Sequence, residues 1–186
     1  MVAAMTDTAL LPISADDVTP ASPLADALLA LNNEHAQELS WLTPQRLTHL
    51  VREAFLARRT RHVDAFLLAF DQHADYDSPN FLWFRERYAR FVYVDRIVVA
   101  PSARGHGLAR RLYAALFTEA AHAGHRCVVC EVNSDPPNPE SDALHAALGF
   151  VEVGAASIHH GSKTVRYLLR GLDDQAAVAG GSASTE

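Results

Sequence analysis

At 186 residues, 49% of them hydrophobic, the chain is long enough for one domain with its own core. A net charge of −6, without a long lysine or arginine cluster, argues against a nucleic-acid partner. No run of about 18 apolar residues offers a membrane span, and Met1–Pro12 lacks the basic-then-apolar order of a secretion signal, so a cytoplasmic location is expected.

Residues 1–8 and 173–186 have the composition of flexible tails, which leaves 9–172 as a single domain. Leu10–Ile13 reads as a first strand. Leu24–Glu38 reads as a helix with Leu24, Leu28 and Leu31 on one side. Thr43-Pro44 is an N-cap followed by proline at the first helical position, opening a helix toward Ala54. Arg58, Arg59 and Arg61 read as a solvated hairpin turn. Val63–Phe70 is a dense apolar strand, 73–80 a polar loop, Phe81–Tyr88 a short helix and Phe91–Val99 the next strand. A helix over 106–122 ends near Gly124. A strand at 126–132, a helix at 140–147 and strands near 150–157 and 164–170 complete the domain, the last two joined by His159-His160-Gly161-Ser162. The fold class is mixed α/β with a largely antiparallel sheet and one β-α-β unit, whose two strands should be parallel. No repeat of 20–50 residues interrupts this order.

The most informative stretch is Ile97 to Leu112. A β-branched run stops at Pro101, a loop carries Arg104, Gly105 and Gly107, and helical spacing resumes at Leu108. A strand–glycine loop–helix of this kind gathers unpaired N–H groups and the positive end of a helix dipole, which suits a phosphate. A Walker loop needs wider glycine spacing and a lysine, and a dinucleotide fingerprint needs a third glycine where Arg110 stands. Read alone, the loop also fits a plain helix start after a turn.

The pattern Arg-x-x-Gly-x-Ala at Arg104, Gly107 and Ala109, preceded by Val99-x-Pro101, resembles the pyrophosphate loop of the GNAT superfamily of acyl-CoA-dependent N-acyltransferases. Downstream, Asn138 and Leu148-Gly149-Phe150 match that family's second motif, with His145 where the family has a tyrosine. Tyr76–Phe81 and Pro136–Pro139 are similar to a bacterial subgroup. The resemblance covers residues 91–170 well and the N-terminal half loosely. It implies acetyl-CoA as acyl donor and a GNAT-like domain. Ile97, Val98, Val99, Arg104, Gly105, His106, Gly107, Leu108, Ala109 and Asn138 would then bind the donor, with main-chain groups near Val98 and Val99 left free by splayed strands.

Acyl transfer to an amine needs a base, donors for the carbonyl oxygen and a proton source for the departing thiolate. The resemblance assigns the acid to His145, as histidinium or as a neutral imidazole hydrogen-bonded to sulfur. Asp95 is the first candidate base, expected on one strand face with Ile97 and Val99 and opposite Arg96. An ion pair with Arg96 is its structural alternative. Glu131 is the second candidate, facing the same cleft. Arg104 either grips a phosphate oxygen or pairs with a surface acid. The proline-rich 132–138 segment is expected beside the cofactor arm, where it would also shape the acceptor pocket, and the Tyr76–Phe81 loop is the other expected acceptor wall.

Cys127 and Cys130 are spaced C-x-x-C but lie on a strand, where residues three apart face opposite ways. They read as buried core, neither disulfide nor zinc site nor acyl-enzyme nucleophile. The ten histidines show no ligand spacing, so no metal is expected. The expected activity is N-acetyl transfer from acetyl-CoA to a small-molecule or protein amine in a ternary complex, without nucleic acid or membrane. A non-catalytic acyl-CoA-binding module is the alternative, and a homodimer by C-terminal strand exchange fits the architecture.

Overall fold

A computed structural model describes residues 9–36, 39–158 and 163–172. The expected tails at 1–8 and 173–186 and the His159–Ser162 turn lie outside the described residues. The fold is organised by one seven-stranded sheet, in the order β1 (Leu10–Pro12), β2 (Leu56–Thr60), β3 (Ala65–Asp71), β4 (Val92–Val99), β5 (Cys127–Asp135), β7 (Lys163–Gly171), β6 (Val151–Ile158).

 All neighbouring pairs are antiparallel except β4–β5. On one face lie the helices α1 (Pro23–Glu34), α2 (Pro44–Glu53) and α3 (Pro79–Arg85). Their Leu28, Leu47, Leu50, Phe81 and Phe84 close over Phe66, Leu68, Phe70 and Tyr93. On the other face α4 (Leu108–His122) sets Leu112, Tyr113 and Leu116 against Leu67, Val92, Val128 and Cys130, and α5 (Pro139–Ala147) leans Leu144 on the same cluster.

Local chemistry starts the helices where it should. Ser22, Thr43 and Asn138 accept hydrogen bonds from the N–H groups of Ala25, Arg46 and Ser141, and each is followed by a proline in the first turn. Helix α4 cannot begin before Leu108, because Gly105 (φ +79°) and Gly107 (φ +74°) are left-handed. Helix α1 ends at Glu34, short of the expected Glu38. Helix α3 runs from Pro79 to Arg85, two residues earlier than expected at its start and three at its end.

The largest correction concerns Arg58 and Arg59. They belong to β2, paired to Leu67 and Phe66 of β3 and to Pro12 and Leu11 of β1, and only Arg61 lies in the turn. Both side chains are half-buried, and Arg59 Nη1 donates to the carbonyl oxygens of Thr60 and Arg61, so the strand shows little apolar alternation. The following strand starts at Ala65, because Val63 has φ +59° in the turn.

Two irregularities in β4 shape the functional region. It pairs with β5 only at Val92↔Val128 and Tyr93↔Val129, after which the strands part. It also carries a bulge: Val94 faces Ala69 and Arg96 faces Leu68, leaving Asp95 as an extra residue.

The cysteines are buried on opposite faces, Cys127 in the α1–α3 core and Cys130 in the α4 core, as the strand periodicity requires. Among the described residues no helix is long and apolar enough to cross a membrane.

Candidate active site

Where β4 and β5 part, a cleft of about 1010 Å³ opens along the glycine loop, the ends of both strands and the start of α5. All the residues expected to bind the donor except His106 line it. His106 instead turns its Nδ1 toward the Ala103 carbonyl oxygen at 3.2 Å. Among the described residues, the N–H groups from Gly105 to Arg110 donate to no main-chain carbonyl. A Cβ on Gly105 or Gly107 would meet nothing within 4 Å. The loop therefore presents a row of unspent donors at a helix N-terminus, in open space, which fits a diphosphate. Arg104 contacts Glu140 at 3.2 Å with both side chains largely exposed, so it is held beside the loop by a weak surface pair. Asn138 lines the cleft and caps α5 through its side-chain oxygen. Pro136 and Pro137 line this donor cleft, beside the end of β5 at Asp135.

A second cavity of about 600 Å³ lies against α3 and shares Leu39, Asp95, Arg96, Glu131 and Lys163 with the first. The Tyr76–Asn80 loop lines it, whereas Phe81 is core. The two expected carboxylates thus meet at the junction of two cavities.

Their environments differ. The bulge overturns the expected face of Asp95: it points away from Ile97 and Val99, and Arg96 follows it to the α1–α3 side. There Asp95 Oδ2 lies 2.5 Å from Arg96 Nε, both side chains being 4% exposed, and Oδ1 accepts from the Tyr76 hydroxyl. Arg96 Nη1 in turn donates to Asn32 Oδ1 of α1 at 2.7 Å. Both oxygens of Asp95 are engaged, and removing either member of such a buried pair leaves an uncompensated charge.

Glu131 projects from β5 into the gap that β4 leaves. Asn80 Nδ2 donates to its Oε1 at 3.0 Å and the Tyr93 hydroxyl to its Oε2 at 2.7 Å. Burial pushes its carboxyl up to about 7, with the Asp95 charge adding to the rise and the Tyr93 and Asn80 hydrogen bonds opposing it. A carboxylate poised there can take a proton at neutral pH.

His145 is buried, and both ring nitrogens have partners. Nδ1 lies 2.7 Å from the Ser141 carbonyl oxygen, which can only accept, so Nδ1 carries the proton. Nε2 then accepts from the Tyr113 hydroxyl at 2.7 Å. Burial holds this histidine below its ordinary pKa, against smaller opposing effects from the Ser141 carbonyl and Asp142. The imidazole is therefore neutral at neutral pH. Cys130 lines the same cleft, but burial pushes its thiol well up, which makes it a poor nucleophile.

Sequence reasoning gave Tyr93 and Tyr113 no role and placed Asn80 only within a loop walling the acceptor pocket. The available signal for Asn80 was an amide in the first turn of an otherwise apolar Phe-Leu-Trp-Phe helix, where asparagine is a weak helix former. Nothing local marks Tyr93 or Tyr113, whose partners lie 38 and 32 residues away. Among the described residues no cluster of three metal-ligating side chains occurs.

The model of the acetyltransferase (GNAT) family matches residues 80–150. No curated protein matches the chain in sequence. Among solved structures, Ard1 from Thermoplasma volcanium aligns with a TM-score of 0.66 at 15% identity, over 88% of this chain and 96% of that one. The ribosomal-protein-S18-alanine N-acetyltransferase from Escherichia coli aligns at 0.60 and 16% identity, over 96% of each chain. The yncA protein from Salmonella typhimurium, solved with its cofactor acetyl-CoA, aligns at 0.61 and 17% identity, over 90% of this chain and 95% of that one. These likenesses establish the fold, and the matched segment spans the glycine loop, Glu131, His145 and Leu148-Gly149-Phe150. Over residues 80–150 the chain is similar to the GNAT acetyltransferase family, and it shares the fold of these acetyltransferase structures.

Proposed function

We propose that residues 9–172 act as one cytoplasmic N-acetyltransferase domain, moving an acetyl group from acetyl-CoA to a primary amine by direct transfer in a ternary complex. The observation that carries this reading is the meeting of two cavities at Glu131. The donor enters along the loop, its diphosphate on the N–H groups of Gly105 to Ala109 and its arm between the parted strands. Main-chain groups near Val98 and Val99 serve the thioester oxygen. The acceptor, a small molecule or a protein amine, enters from the side of Tyr76 and Asn80.

Of the two carboxylates, Glu131 is the base and Asp95 holds Arg96 and the bulge in place. Glu131 takes a proton from the ammonium group, since only the free amine has a lone pair. The nitrogen then attacks the carbonyl carbon, a C–N bond forms, the C–S bond breaks, and the nitrogen gives up a second proton as the departing thiolate gains one. His145, with Tyr113 behind it, stands at the thiol end as the acid. It serves as a donor only once protonated, so its contribution falls as pH rises.

One observation favours a second reading. His145 already spends both nitrogens inside the protein, as a residue in a non-catalytic acyl-CoA-binding module would. Thiol release measured with acetyl-CoA and a panel of amines separates the two. Turnover that collapses in Glu131→Gln supports the enzyme. Thermal stabilisation by acetyl-CoA without release from any amine supports the binding module.

A further inference from the structure

We propose that Asn80 is the positioning residue for Glu131, holding the carboxylate oriented and ionised for proton removal. The proposal rests on the reading of Glu131 as the base.

The hydrogen bonds around Asn80 have one consistent direction. The Tyr167 hydroxyl donates to Asn80 Oδ1 at 3.0 Å, which leaves the amide nitrogen to donate to Glu131 Oε1 at 3.0 Å. Reversing the amide would set its oxygen against a carboxylate oxygen. The Tyr93 hydroxyl donates to the other oxygen, Oε2, at 2.7 Å. Asn80, Tyr93 and Tyr167 are all buried, on α3, β4 and β7. Three elements converge on a carboxylate that β4 no longer covers with a strand partner. Each oxygen has a side-chain donor of its own, Asn80 on one and Tyr93 on the other, so the carboxylate plane is set.

The arrangement is also an electrostatic one. Groups that face or neighbour Glu131 include Asp95 and Tyr93 from β4, Tyr76 from the loop before α3, Tyr167 from β7, Tyr113 from α4 and Cys130 beside it; Arg96 and Lys163 line the shared junction. Burial and Asp95 favour the protonated carboxyl, whereas the Tyr93 and Asn80 donors favour the charged one. Asn80 is the donor whose other end is anchored by a third side chain, Tyr167. Its amide has no charge of its own to titrate, so it supports the carboxylate at every pH.

The test is the pH dependence of kcat/KM for acetyl transfer to one fixed amine, in wild type, Asn80→Leu, Asn80→Asp and Glu131→Gln. Asn80→Leu removes a hydrogen bond to a charged group, which moves the rising limb up by about one pH unit. Asn80→Asp adds a like charge and moves it further in the same direction. Activity lost at low pH returns at high pH in both variants, which a misfolded protein does not do. An unmoved limb with activity lost equally at all pH values overturns the role of Asn80. An active Glu131→Gln enzyme overturns the underlying assignment of the base instead. Melting temperatures measured alongside identify any variant that fails to fold; in that case Asn80→Ser, which retains a short donor, is expected to show a smaller shift, and an unmoved limb there counts against the proposal.

Discussion

Replacing Glu131 by glutamine separates the cost of the base from its use. The native carboxyl titrates at about 7 against an ordinary value of 4.5. Between those two values the native state keeps a proton that the unfolded chain has lost, so stability falls as pH rises through the window. The difference corresponds to about 3 kcal/mol once both states are ionised, at about 1.4 kcal/mol per pH unit. Glutamine removes this charge and keeps the local bonds: its oxygen accepts from Asn80, and its NH2 donates to the Tyr93 hydroxyl, which can accept as well as donate. Urea unfolding of both proteins should agree near pH 4. It should diverge to as much as about 3 kcal/mol in favour of Glu131→Gln near pH 8.5. The same variant loses about a hundredfold or more in kcat/KM, the usual contribution of a general base. A stability gap that stays constant across this range would refute the reasoning.

Three further outcomes follow from particular contacts. Gly107→Ala places a side chain at φ +74°, which costs about 1 kcal/mol in thermal unfolding and raises the Kd of acetyl-CoA by calorimetry. Tyr113→Phe leaves buried His145 Nε2 without its donor, and denaturant unfolding should register a loss of about 1–3 kcal/mol. Gly154→Ala drives a Cβ to 2.7 Å from the Trp83 ring, which stacks on Tyr167 at 4.2 Å. The ring must leave that stack, so tryptophan emission shifts to the red and stability falls by about 1–3 kcal/mol.

The features legible in the sequence are those written in local pattern. The glycine loop, the capped helix at Thr43 and the opposite facing of Cys127 and Cys130 all follow from spacing and residue type, whereas Asn138 at the start of its helix was legible through the family resemblance. The β2 strand was hidden because Leu-Ala-Arg-Arg-Thr lacks apolar alternation and gains its place from partners on both sides. The face of Asp95 was misread because strand alternation assumes an unbroken ladder, and the bulge that breaks it arises from pairing with β3. Glu131 was legible as a carboxylate between apolar strand residues. Its clamp was not, since Asn80 reaches it across 51 residues of chain. The substitution of histidine at 145 was plain, but its hydrogen bond to Tyr113 depends on how α4 and α5 pack.

The most direct test of the account is a crystal structure with coenzyme A bound. The account predicts the diphosphate on the N–H groups of Gly105 to Ala109, the pantetheine arm in the gap between β4 and β5, and the sulfur at the junction with the Glu131 cavity. Density for the cofactor elsewhere, with the loop amides facing solvent, would contradict it.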